Sequence, residues 1–129
     1  MSFPYSSRYH PPMPGVEIAL GVPEADFALG PLPAIVDTGA DITLVPREYL
    51  IRLDAPIVAG GYLRSPWGER ESVKIYEINL RIQGYDLYHV EVASASGERE
   101  VLLGRNVLNL LNLQLDGPNE TVTILPPEV

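Results

Sequence analysis

Apolar residues in this chain come in short runs broken by proline and glycine, and several runs alternate with polar positions at a period of two. Residues 16–20, Val16-Glu17-Ile18-Ala19-Leu20, alternate and stop at Gly21, the signature of a half-buried strand. A turn-rich stretch containing Pro23, Gly30, Pro31 and Pro33 follows, and residues 34–36 and 42–45 read as two further short strands. Pro46 opens a stretch, 46–50, that fits a brief helix with proline in its first turn. Residues 57–63 and 72–82 predict a hairpin with Ser65-Pro66-Trp67-Gly68 at its tip. Gln83-Gly84-Tyr85-Asp86 turns the chain into a strand over 87–93, and 94–99 read as a polar loop. Residues 107–111 have a short helical pattern. Strands at 112–115 and 121–125 flank the turn Asp116-Gly117-Pro118-Asn119. The pattern predicts an all-β chain with one or two short helices.

Composition narrows the function. A chain of 129 residues can bury one core and leaves little room for a second domain. The absence of cysteine excludes disulfides, zinc thiolates and thiol nucleophiles. A formal charge of -8 argues against a nucleic-acid partner, because phosphate neutralisation needs clustered Lys and Arg. No apolar stretch approaches the ~20 residues of a spanning helix, and the first residues lack the layout of a secretion signal. A cytoplasmic protein with no membrane partner is therefore expected. His10 and His89 show no ligand spacing, so no metal or other cofactor is expected. In residues 1–15, Pro4, Pro11, Pro12 and Pro14 interrupt any continuous ladder, which predicts an arm or linker preceding a domain at 16–129.

The chemistry concentrates at Asp37-Thr38-Gly39-Ala40-Asp41, set between the apolar runs 32–36 and 42–45. Asp-Thr-Gly alone is ordinary turn chemistry, with Asp accepting backbone hydrogen bonds and Gly supplying positive φ. A second element far downstream, Val101-Leu102-Leu103-Gly104-Arg105-Asn106, makes a matched pair that chance seldom produces. With these two motifs the chain resembles the retropepsin-like aspartic proteases, over roughly residues 16–125. The resemblance implies a small closed β-barrel-like fold with a mobile flap hairpin, and an aspartic endopeptidase acting on extended polypeptides. It assigns catalysis to Asp37, Thr38 and Gly39.

Such hydrolysis needs two carboxylates, one ionised to activate water and one neutral to protonate the peptide, sharing a proton as a coupled pair. Asp26, Asp54, Asp86 and Asp116 precede Phe, Ala, Leu and Gly-Pro, so no second Asp-Thr-Gly exists in the chain. One chain therefore holds half a site, and a two-fold homodimer is expected to bring two copies of Asp37 together. Thr38 then suits a hydrogen bond across the axis, and Gly39 a close approach of backbone to carboxylate and substrate. Ala40 lacks the hydroxyl that some relatives aim at the carboxylate, which predicts activity at mildly acidic to neutral pH.

Further roles follow from the resemblance. Asp41 and Arg105 are expected to form a bidentate ion pair. Residues 57–75 correspond to the flap, with Ser65, Pro66, Trp67 and Gly68 at a tip stiffer than the Gly-rich one of retroviral enzymes; Trp67 either seals the substrate channel or packs on its own subunit. Ala40, Asp41 and Leu102 join these tip residues as substrate-binding positions. Gly97-Glu98-Arg99-Glu100 is expected to be a solvated loop. In retroviral relatives both chain ends interleave between subunits; here the proline content predicts a smaller terminal sheet built from the C-terminal strands alone. The alternative function is a catalytically silent dimerisation or peptide-binding module using the same cleft.

Overall fold

In a computed structural model of the chain, residues 2–65, 67–94 and 97–126 are described. The alternating run at the start of the barrel becomes β2 (Gly15–Gly21), paired antiparallel with β3 (Leu29–Val36), following the short N-terminal strand β1 (Ser2–Pro4). Strand β3 is longer than its composition suggests, because it runs through Pro31 and Pro33. Over that half its ladder is with β2 alone, so prolines without an N–H are tolerated on the other side. Only Ala34 and Ile35 have ladder partners on both sides, the second neighbour being β8 (Val101–Leu103), which pairs in parallel with residues 34–36.

The two-residue strand β4 (Thr43–Leu44) leaves the Asp37 turn and leads into helix α1 (Arg47–Leu53). Pro46 caps this helix rather than entering it, Leu50 and Leu53 face the core, and Asp54 ends it in the left-handed conformation at φ 52°. Strands β5 (Ile57–Arg64) and β6 (Arg70–Ile82) form the expected hairpin, and β6 pairs onward with β7 (Tyr85–Ala93). Ser65 N–H donates to Glu69 O (2.8 Å) and Gly68 N–H to Ser65 O (3.0 Å), which closes the hairpin turn. Pro66 lies outside the described residues.

The order β2-β3-β8-β4-β7-β6 closes on itself where Ala19–Gly21 of β2 pairs with Asn79–Arg81 of β6. The result is a closed six-stranded barrel, with β5 outside it and, among the described residues, paired with β6 alone. The period-two alternation sends Leu20, Ile78, Leu80, Ile82, Val92, Val101 and Leu103 inward, and all seven are fully buried. The expected all-β architecture is the observed one.

Helix α2 (Arg105–Leu108) starts two residues earlier than its apolar pattern, because the Gly104 carbonyl accepts from both Val107 and Leu108 N–H (3.0 Å each). After it, β9 (Asn112–Asp116) and β10 (Thr121–Leu125) form a hairpin, and β1 pairs with the far side of β10. This corrects the expectation of a terminal sheet made from C-terminal strands alone. The N-terminal segment joins because Pro4 sits at the last position of β1 and Pro11 and Pro12 fall in a loop, so the ladder Ser2↔Thr123, Phe3↔Val122 is not interrupted. Phe3 packs into the core beside Val122 and Ile124.

Candidate active site

Strand β3 ends at Val36, and the chain turns at Asp37 before leaving through β4. The turn is local: Ala40 N–H donates to Asp37 O (3.2 Å), and Gly39 N–H donates to Asp37 Oδ1 (3.0 Å). A Cβ on Gly39 would stand 3.2 Å from that same oxygen, a tight contact that would push the carboxylate aside. Asp37 is half-buried, whereas Thr38 and Asp41 are exposed in the single chain.

The downstream motif holds this turn in place. Asp37 N–H donates to Leu103 O (3.0 Å), Arg105 N–H to Ala40 O (2.8 Å), and Arg105 Nη1 to Thr38 O (2.7 Å). Arg105 therefore braces the turn through backbone carbonyls. The expected ion pair with Asp41 is not formed, because the guanidinium is directed at Thr38 O and Asp41 faces solvent. Gly104 permits the approach: a Cβ there would lie 2.6 Å from the carbonyl carbon and oxygen of Ile42.

A network that motif reading did not single out fixes the exit strand. Thr43 is fully buried; its Oγ1 donates to Asn106 Oδ1 (2.9 Å) and accepts from Gly104 N–H (3.0 Å). Thr43 N–H also reaches Asn106 Oδ1 (2.9 Å), and Asn106 Nδ2 donates to Glu91 O (2.8 Å) on β7. The available sequence signal was a Thr at an otherwise apolar strand position, six residues after the Asp.

Asp37, Gly39, Ala40 and Asp41 line one side of an open cleft of about 730 Å³. Tyr62, Leu63, Arg64 and Ser65 of the β5–β6 hairpin, with Arg70 and Glu71, line the other. Of the expected substrate-binding residues, Ala40, Asp41 and Ser65 lie in this cleft. Leu102 is half-buried on the face of β8 opposite Val101 and Leu103, against its cross-strand partners Ile35 and Leu44, and does not line the cleft. Trp67, at the hairpin turn, is 78% exposed and so does not pack on its own subunit; Gly68 beside it has φ 88°.

Residues 97–100 are more engaged than a solvated loop, which corrects that expectation. Glu98 is half-buried, and its carboxyl is pushed above the usual range by burial, with the charges of Glu100 and Asp37 adding to the effect. Glu100 is held by Arg8 and Tyr9. Among the described residues no group of His, Asp or Glu is arranged to hold a metal ion, and no helix is long and apolar enough to cross a membrane. His89 contacts Glu77 instead of any ligand set.

Scans against protein-family models and curated proteins each find no match. Solved structures do match. A retropepsin-like aspartic protease from Rickettsia conorii is 15% identical with a TM-score of 0.64, covering 96% of this chain and 88% of that one. Simian foamy virus protease is 22% identical with a TM-score of 0.54, covering 74% and 91%, and EIAV protease is 20% identical with a TM-score of 0.57, covering 75% and 86%. The chain has the retropepsin-like aspartic protease fold.

Proposed function

We propose that this chain is one half of an aspartic endopeptidase that becomes complete as a homodimer. The observation that carries the reading is the Asp37 carboxylate, held by Gly39 N–H on the floor of a cleft that the β5–β6 hairpin overhangs. A water between two such carboxylates loses a proton to the ionised one and attacks the scissile carbonyl, while the neutral one supplies the proton that the departing amine needs. The hairpin serves as the flap, and an extended polypeptide lies beneath it as an added strand. Thr38 is exposed in the single chain, which leaves it free to be covered by a partner copy.

The open edge of β9 supports a position for the second copy. Strand β10 is paired on both sides, by β9 and β1, so a partner strand joins this sheet at the outer edge of β9 or of β1. Among the described residues β9 pairs with β10 alone. Leu115 lies on the same face as the fully buried Val122, yet is 50% exposed. Antiparallel pairing of two β9 edges about Gln114 sets Leu113 opposite the partner's Leu115 and covers both.

The test is incubation of the purified chain with unfolded protein across pH, with and without a transition-state inhibitor of aspartic proteases, beside Asp37→Asn. Sedimentation establishes the assembly state in parallel. Inhibitable cleavage that the variant lacks is the expected result. A verified dimer that cleaves nothing at any pH leaves the silent peptide-binding module as the function.

A further inference from the structure

The N-terminal segment grips the candidate site from outside the barrel. Ser6 N–H donates to Met13 O (2.7 Å) and Met13 N–H to Ser6 O (3.2 Å), which closes residues 6–13 into a loop. Pro14 O then accepts from Val36 N–H (3.0 Å), one residue before Asp37. From this loop Arg8 Nη1 donates to Glu100 Oε1 (2.9 Å), and the Tyr9 hydroxyl donates to Glu100 Oε2 (2.6 Å). Both carboxylate oxygens are engaged, and the Glu100 side chain is only 10% exposed. A carboxylate so far from water depends on such partners.

Glu100 is joined directly to Val101, the first residue of β8, and β8 supplies the Leu103 carbonyl that holds Asp37 N–H. Tyr9 responds to the same contact: its hydroxyl is pushed up to about 12, first by the hydrogen bond to Glu100, then by burial and the charges of Glu100 and Glu98.

We propose that Arg8 and Tyr9 are positioning residues, which grip Glu100 and so fix residues 97–100 and β8, the strand whose Leu103 carbonyl holds Asp37 N–H. The N-terminal loop then sets substrate affinity at a cleft it does not line. The kinetic consequence rests on the peptidase reading; the structural consequence does not.

Two measurements on the full chain separate these. The variants are Arg8→Ala/Tyr9→Phe together and Arg8→Lys alone, since a lysine can supply the single N–O contact that Arg8 makes. In the double variant, amide exchange at residues 97–101 is expected to rise by about tenfold or more while β6 and β7 amides keep their protection. KM for a cleaved peptide rises about fivefold with kcat within about twofold, and Arg8→Lys stays within about twofold of the parent in both. Unchanged exchange at 97–101, or an equal rise throughout the barrel, overturns the proposal, as does a fall in kcat at constant KM. If the parent chain cleaves nothing, the peptidase reading fails while the exchange data still decide the grip.

Discussion

Replacing Thr43 by Val removes one hydroxyl from the buried network at low steric cost, since the two side chains have nearly the same shape. Two hydrogen bonds disappear, Thr43 Oγ1 to Asn106 Oδ1 and Gly104 N–H to Thr43 Oγ1. Asn106 Oδ1 keeps its bond from Thr43 N–H, so the acceptor side is not orphaned. Gly104 N–H is orphaned in a buried place, at about 1–3 kcal/mol, and the other lost bond adds about 1 kcal/mol, giving about 2–4 kcal/mol in total. Thr43→Ser keeps the hydroxyl and loses one methyl, which costs about 1 kcal/mol. Urea titration at fixed protomer concentration measures both, as shifts in midpoint at constant slope. The reasoning fails if Thr43→Val lies within about 0.5 kcal/mol of the parent, or if Thr43→Ser loses as much, because volume and not the hydroxyl would then be what matters.

Gly104→Ala forces a Cβ against the Ile42 backbone, so a loss of about 2 kcal/mol or more is expected by the same titration, and a neutral result would mean that the two motifs do not pack as described. Leu115→Lys at the open β9 edge is expected to weaken the dimer by about 2 kcal/mol, roughly 30-fold in sedimentation, with the protomer's circular dichroism intact; an unchanged dimer constant removes β9 from the interface. Glu98→Gln tests the raised carboxyl. An acid whose folded-state value is raised favours the fold only while protonated, and that benefit is lost as pH rises from the ordinary carboxylate range through the raised value. The variant should therefore melt higher than the parent at pH 7 and equally below about pH 4, and a melting gain that persists at low pH would contradict the assignment.

The sequence by itself determined the features set by short-range pattern. Period-two alternation marked β2, short apolar runs marked β6, β7 and β10, and Gly and Pro marked the turns between them. The Asp37 turn was legible because the hydrogen bonds that shape it from within, Gly39 N–H to Asp37 Oδ1 and Ala40 N–H to Asp37 O, join residues at most three apart. The Gly-Arg-Asn motif was also visible as a motif, but what each of its residues holds was not. Arg105 turned to Thr38 O rather than Asp41, and Asn106 proved to be bound to Thr43, 63 positions away. The tertiary structure alone decided that β1 pairs with β10, that prolines in β3 fall where its ladder has one neighbour, and that Glu100 lies under Arg8 and Tyr9. The β1–β10 and Glu100 contacts join segments about a hundred residues apart, and no local propensity encodes them. They form because closing the barrel brings polar groups together out of water, where each must find whichever partner the topology sets beside it.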